Sequence, residues 1–79
     1  MADYKLILSH IAKALVDQPD EVVVILVDED EDTVTFELSV APDDMGKVIG
    51  KHGKIAKAIR TVMKAVANAD GKRVIVDIR

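Results

Sequence analysis

Residues 33–40 constrain the fold most strongly, because they alternate without exception between polar and apolar side chains. The segment reads Thr33-Val34-Thr35-Phe36-Glu37-Leu38-Ser39-Val40. In a β-strand, successive side chains point to opposite faces, so this period of two predicts a strand with one apolar face buried and one polar face exposed. Such a strand requires a sheet whose apolar face is covered by another layer, and helices must supply that layer.

Two further segments are predicted to be strands of the same sheet. Val22–Val27 is an unbroken run of β-branched residues and leucine, which predicts a strand buried on both faces. Five consecutive acidic residues at 28–32 join it to the alternating strand. So short a link predicts a solvated turn and an antiparallel hairpin. Val74–Ile78 is predicted to be the third strand.

Helical periodicity accounts for the rest of the chain. A first amphipathic helix, ended near Pro19, has apolar residues at i, i+3, i+4 and i+7: Tyr4, Ile7, Leu8, Ile11, Ala14 and Leu15. A short helix begins at Ala41-Pro42-Asp43-Asp44, turns Met45, Val48 and Ile49 inward, and ends at Gly50. A longer helix runs from Gly53 to about Asn68, and we expect its apolar stripe to be Ile55, Ile59, Val62 and Val66.

The predicted element order is therefore α-β-β-α-α-β in the α+β class. We expect a three-stranded sheet with three helices packed on one face. A chain of 79 residues is long enough for one domain, so the predicted domain spans residues 1–79.

Composition excludes several classes of protein and site. The absence of cysteine removes disulfides and thiolate metal sites and is typical of a reducing cytosol, so we expect a cytoplasmic protein. No apolar run is long enough to span a membrane, and no signal peptide is recognisable, so we expect no membrane partner. Aromatic residues make up only 3% of the chain, which argues against an aromatic stacking platform.

The net charge of −3 conceals two unlike halves. Residues 1–46 contain 12 acidic and two basic residues, whereas residues 47–79 contain nine basic and two acidic residues. The halves carry net charges of −10 and +7, and residues 47–64 contain six basic residues and no acid. This asymmetry predicts an electrostatic partner for the second half.

The link between the second and third predicted helices lies within this basic half. It reads Gly50-Lys51-His52-Gly53 and delivers the N-terminus of the long helix, where free N–H groups and the helix dipole attract anions. Glycine accepts unusual dihedral angles and lets a phosphate backbone approach closely. Further cations surround the link, namely Lys47, Lys54, Lys57, Arg60 and Lys64. Together these residues predict a clamp for a phosphodiester backbone.

The octapeptide Val48-Ile49-Gly50-Lys51-His52-Gly53-Lys54-Ile55 resembles the KH signature V-I-G-x-x-G-x-x-I. With a helix and a strand placed before that core, the chain resembles the type II KH fold over nearly its whole length, as a single KH domain with its Gly-x-x-Gly loop at 50–53. Its size and its lead-in at residues 41–47 are similar to the small bacterial single-KH proteins of the KhpA family.

The resemblance implies that the chain binds single-stranded RNA, because the Gly-x-x-Gly loop of KH domains clamps about four backbone nucleotides. Gly50, Lys51, His52 and Gly53 would form the clamp, with Lys47, Lys54 and Arg60 as supporting cations. The bases would lie in an aliphatic groove lined by Ile49, Ile55 and Ile59, with Phe36 or Leu38 on the far wall.

The family resemblance also implies partners and a cellular role. KhpA-like proteins are thought to act as RNA chaperones with a KH-containing partner, KhpB, and to influence cell envelope homeostasis. A homodimer, or a heterodimer with a KhpB-like protein, is therefore expected. The resemblance implies no cofactor and no small-molecule substrate.

Several alternatives remain open from the residues alone. The glycine link could be a plain helix–helix turn, the lysines a solvated helix face, and the chain an adaptor that acts mainly through a protein partner. Asp28, Asp30 and Asp32 match the first ligands of a calcium loop, but Thr33 and Ser39 stand where its glycine and glutamate belong. Besides a solvated turn, this acidic segment could have an electrostatic role, either repelling RNA from the wrong face or docking a basic partner. No spacing indicates a catalytic nucleophile with its base, so we expect neither a metal site nor an enzyme.

Overall fold

The computed structural model describes residues 3–79 and contains three α-helices and three strands within that range. The helices are α1 (Tyr4–Leu15), α2 (Met45–Ile49) and α3 (Lys54–Ala69). The strands are β1 (Val23–Glu29), β2 (Thr33–Ser39) and β3 (Arg73–Ile78). This order confirms the predicted α-β-β-α-α-β arrangement and α+β class, and the helices pack on one face of the sheet. No described helix is both long enough and apolar enough to cross a membrane.

The sheet has the order β1-β2-β3, so β2 is central and both other strands are edges. β1 and β2 pair antiparallel, which confirms the predicted hairpin, whereas β2 and β3 pair parallel. A parallel pair needs a crossover connection. Residues 40–72, which include α2 and α3, supply that crossover and bring α3 against β3.

The alternation in β2 is confirmed as the centre of the core. Val34, Phe36 and Leu38 are buried, as is Val40 just after the strand, whereas the intervening polar residues are partly exposed. Helix side chains cover this apolar face and complete the core; they are Tyr4, Leu8, Ala12, Val48, Ile59, Met63 and Ala67.

The prediction that Val22–Val27 is buried on both faces is wrong. Only Val24 is buried, and Val23, Ile25, Leu26 and Val27 are each 45–47% exposed. The reason is topological, because β1 is an edge strand and one face of the sheet has no covering layer among the described residues. An unbroken apolar run does not reveal whether a strand is central or at an edge.

Two predicted helical stripes are displaced around their helix axes. In α1, Ala14 and Leu15 are exposed and Ala12 is fully buried instead. In α3, Val62 is 46% exposed, and the buried residues are Ala56, Ile59, Met63 and Ala67. Small alanines fit where a helix approaches its neighbour closely, whereas the hydrophobic pattern of the sequence favoured the larger β-branched residues over them.

Side chains hold the first helix in place at both of its ends. The Asp3 carboxylate accepts a hydrogen bond from the Leu6 N–H and caps α1. The Tyr4 hydroxyl donates to the Asp70 carboxylate, which raises the pKa of Tyr4 to about 12. After α1, the Asp44 carboxylate, only 1% exposed, accepts from the backbone N–H groups of Asp17 and Gln18 at 3.3 and 3.0 Å. The sequence suggested Asp44 only as a helix-start residue, because its distant partners become visible only in the fold.

Candidate nucleic-acid interface

Gly50 ends α2 and admits no side chain. Its φ of +75° and ψ of 173° lie in a region that is almost exclusive to glycine. A Cβ built on Gly50 would lie 2.5 Å from Cγ1 of Ile55, well inside van der Waals contact. The first glycine of the link is therefore required both by backbone conformation and by the packing of Ile55 beneath it.

Gly53 differs from Gly50 in what surrounds it. Its φ is +73°, and apart from the adjoining backbone no atom lies within 4 Å of the position that a Cβ would occupy. The space beside its backbone opens to solvent at the start of α3, where the positive end of the helix dipole favours anions. Gly53 is thus the position at which a ligand backbone can approach the protein closely.

The two residues between the glycines are exposed. Lys51 and His52 form a tight turn that is closed by a hydrogen bond from Gly53 N–H to Gly50 O, 3.1 Å long. His52 takes the left-handed conformation, with φ 59° and ψ 25°, which is uncommon for a residue with a side chain. The backbone therefore holds both side chains at the surface, beside the N-terminus of α3.

A basic surface continues from this loop along α3. Lys54, Lys57, Arg60 and Lys64 are all exposed, as the spacing predicted. Arg60 also spans the gap to the sheet, because its Nε donates a 3.1 Å hydrogen bond to the Val76 carbonyl oxygen. Arg60 therefore lies between α3 and the edge strand β3 with the rest of its guanidinium group available.

An open groove lies between α3 and β3. Arg60, Lys64 and Asn68 line its helix side, and Lys72 and Arg73 lie at its far end, where α3 turns into β3. The sequence pattern did not assign Asn68, Lys72 or Arg73 to the site. Lys72 and Arg73 stand at the start of β3, which runs parallel to β2 beneath α3. That position is the signal from which these two residues could have been assigned to the site.

The predicted aliphatic lining is only partly accessible. Ile49 is 37% exposed and Ile55 is partly exposed, so both can reach a ligand beside the loop. Ile59 is 3% exposed and belongs to the core, so its assignment to the groove is wrong. The far wall was also predicted wrongly, because Phe36 and Leu38 are buried in the central strand and β3 forms that side of the groove.

Lys47 differs from the other cations of the predicted site because it already forms ion pairs with acidic residues. Its Nζ lies 3.2 Å from Asp17 Oδ2 and 4.0 Å from Asp44 Oδ1. The lysine is 43% exposed, so it remains accessible from solvent. Any phosphate that binds Lys47 must compete with these carboxylates, in contrast to Lys51, for which no ion pair is found within the described residues.

In the acidic turn at 28–32, the Asp30 carboxylate accepts hydrogen bonds from the backbone. Asp30 accepts 2.8 Å hydrogen bonds from the N–H groups of both Asp32 and Thr33, which lower the pKa of Asp30. This arrangement closes the β1–β2 turn. Within residues 3–79, no cluster of three or more His, Cys, Asp or Glu side chains is arranged to hold a metal ion.

Comparisons with known proteins agree with this geometry. A family model described as the KH domain of KhpA/KhpB matches residues 5–78. RNA-binding protein KhpA of Clostridium acetobutylicum is 61% identical over 74 residues, covering 94% of this chain and 97% of that protein. RNA-binding protein KhpA of Listeria monocytogenes serovar 1/2a is 50% identical over 74 residues, covering 94% and 95% respectively.

One solved structure supports the fold alone. The crystal structure of a point variant of Aquifex aeolicus Era bound to GDP.AlF4- superposes with a TM-score of 0.68 and 18% sequence identity. The match covers 95% of this chain and 29% of the Era chain. The same arrangement of helices and strands therefore occurs as one part of a larger protein.

Proposed function

The chain belongs to the KhpA/KhpB family of KH domains, and from this premise we propose that it binds single-stranded RNA along the basic side of α3. The relatives from Clostridium and Listeria are named as RNA-binding proteins. The proposed ligand contacts are Gly50, Lys51, His52 and Gly53, supported by Lys47, Lys54, Arg60, Ile49 and Ile55. The proposed role requires no cofactor and no chemical reaction.

The observation that carries the proposal is the open space at Gly53 beside two exposed cationic or donor side chains. A phosphodiester backbone can approach the bare Gly53 backbone at the N-terminus of α3, and Lys51 can then contact its phosphate oxygens. Gly-x-x-Gly loops in KH domains clamp about four nucleotides in this manner. The adjoining groove between α3 and β3 then accommodates the bases.

The lack of an exposed aromatic surface at this groove predicts modest sequence selectivity. The aromatic residues of the chain, Tyr4 and Phe36, are both buried, so neither offers a stacking surface. Binding should therefore depend mainly on phosphate contacts. This property suits an RNA chaperone or post-transcriptional regulator. We propose that role in the cytoplasm, with the downstream influence on the cell envelope that the family resemblance implies.

We expect a single-stranded RNA oligomer to bind with micromolar affinity and strong salt dependence. About four phosphate contacts on a single strand predict a slope of roughly −3 for log K against log salt concentration. Fluorescence anisotropy of a labelled oligomer, titrated at several salt concentrations, measures both quantities. A duplex of the same sequence is the control, because its bases cannot enter the groove. Equal affinity for the duplex would contradict the proposed site.

A second candidate function is that of a KH-fold adaptor that pairs with another copy or with a KhpB-like protein. The observation that favours it is an exposed apolar stripe on α3, formed by Ala58, Val62, Ala65 and Ala69. Small residues let two helices approach closely. Analytical ultracentrifugation of the wild type and of Val62→Asp tests it, with Thr61→Asp as a control at an adjacent exposed position. We expect a concentration-dependent dimer that Val62→Asp abolishes, and a wild type that stays monomeric throughout would contradict self-association.

A further inference from the structure

β1 is an edge strand with exposed apolar side chains, and its outer side is not paired with another strand within residues 3–79. Four of the nine exposed large hydrophobic side chains of the described residues lie on it, namely Val23, Ile25, Leu26 and Val27. Sheet edges of this kind are usually protected by lysines, prolines or a covering element, because they can pair with other chains. A register shift between Leu26 and Asp28 distorts only the far end of β1, so Val23–Leu26 remains regular.

The backbone of β1 directs hydrogen-bonding groups away from the sheet. Arg73 N–H donates to Asp32 O and Arg79 N–H to Leu38 O, so even-numbered residues of β2 pair with β3. Odd-numbered residues of β2 therefore pair with β1, through Val23 opposite Ser39 and Ile25 opposite Glu37. By the alternation of an antiparallel ladder, the N–H and C=O groups of Val24 and Leu26 point outward. They form the template for a fourth strand.

The acidic residues before and after β1 indicate which kind of strand can pair with this edge. Asp20 and Glu21 precede the strand, and five acidic residues occupy positions 28–32 at its end and beyond it. Within the strand and these flanking segments there is no lysine or arginine; Lys5 and Lys72 lie near Leu26 and Glu29 but come from other parts of the chain. Two copies paired through β1 would bring these acidic ends together, which is unfavourable. A strand with basic residues at both ends would instead meet opposite charge at each end, in either orientation.

A second copy of this chain does not provide that strand. Its β3 is basic at both ends, with Lys72 and Arg73 at the start and Arg79 at the finish. However, the outward Val76 carbonyl of β3 is already occupied by Arg60, and α3 flanks that edge. The complementary strand must therefore come from another protein.

We propose that the edge of β1 binds an extended peptide segment of a partner protein, with β-branched residues at its centre and lysine or arginine at both ends. The segment adds to the sheet as a fourth strand through the outward groups of Val24 and Leu26. Its apolar side chains cover Val23 and Ile25. This surface lies on the strand edge opposite β3, so the inference does not depend on RNA binding at the loop and groove.

The experiment uses a labelled peptide of sequence Lys-Lys-Val-Thr-Val-Thr-Lys-Lys, whose basic ends make its orientation unimportant. Fluorescence anisotropy measures its affinity for the full chain, and amide hydrogen exchange locates it. We expect binding that weakens with salt, together with slower exchange at Val24 and Leu26. The same peptide with glutamate in place of lysine, and one with a central proline, should bind at least about tenfold more weakly.

Matched variants of the chain separate this surface from the RNA site. Ile25→Lys should weaken the basic peptide at least about tenfold while RNA binding is retained, because the substitution adds like charge and removes apolar contact at the edge. Ile75→Lys is the control, since Ile75 has nearly the same exposure (44%, against 46% for Ile25) but lies on β3. Absence of peptide binding, equal binding of the glutamate peptide, or equal losses in the two variants would each overturn the proposal.

Discussion

Lys51→Asp combined with His52→Asp is expected to lower the affinity for single-stranded RNA by about a hundredfold. Two charge-assisted contacts to phosphate, at roughly 1.5 kcal/mol or more each, amount to about 3 kcal/mol, which corresponds to that factor. The exposed position of both residues means that no core contact is removed. Fluorescence anisotropy with the single-stranded oligomer measures the loss.

The double variant should fold as well as the wild type. Aspartate tolerates the left-handed conformation of residue 52, and negative charge is favourable near the N-terminus of α3. His10→Asp with Lys13→Asp is the matched control, because it makes the same charge change at exposed positions on α1. If the control loses as much affinity as the loop variant, net charge explains the effect, and unchanged binding by the loop variant would contradict the clamp.

Gly50→Ala is expected to destabilise the protein by about 3 kcal/mol or more. The new methyl group would lie 2.5 Å from Ile55 Cγ1, and the conformation of residue 50 is nearly exclusive to glycine. Both effects act on the joint between α2 and α3, so the loop geometry should be lost with the stability. Urea unfolding, followed by circular dichroism, measures the change in the free energy of unfolding.

Two other glycine substitutions separate the effect of the overlap with Ile55 from the effect of the backbone conformation. Gly71→Ala and Gly53→Ala also place a methyl group at positive φ, but apart from the adjoining backbone neither site has an atom within 4 Å of the new Cβ. Each should cost only about 1–2 kcal/mol, the penalty for the left-handed conformation. Gly53→Ala should in addition weaken RNA binding, because its methyl group would occupy the open space beside the loop. A Gly50→Ala variant no less stable than Gly71→Ala would show that the overlap with Ile55 relaxes freely.

Structural features that depend on residues close together in the sequence were predicted correctly. The alternation in β2 defines its buried face, because the period of a strand is independent of what packs upon it. The glycines at 50 and 53 correctly predicted a turn between two helices, since both take positive φ. The spacing of Lys54, Lys57, Arg60 and Lys64 likewise predicted one exposed basic side of α3.

Structural features that depend on elements far apart in the sequence were predicted wrongly or not at all. The apolar run predicts that Val23 and Ile25 are buried, yet they are exposed on an edge strand. The family resemblance implies Phe36 or Leu38 on a groove wall, but the parallel pairing of β3 with β2, which no local pattern reveals, places β3 there. No local pattern reveals that the Asp44 carboxylate is buried, because its partners lie 26 and 27 residues away.

The sequence by itself determined the element order, the class of fold and the basic half that carries the loop, since local periodicity and charge are properties of neighbouring residues. Only the tertiary structure decided that Gly50 is confined by Ile55, that Arg60 spans α3 and β3, and that β1 keeps an open edge. The physical reason is the order of the strands. The crossover through α2 and α3 places β3 beside β2, which leaves one edge against the basic helix and the other edge exposed.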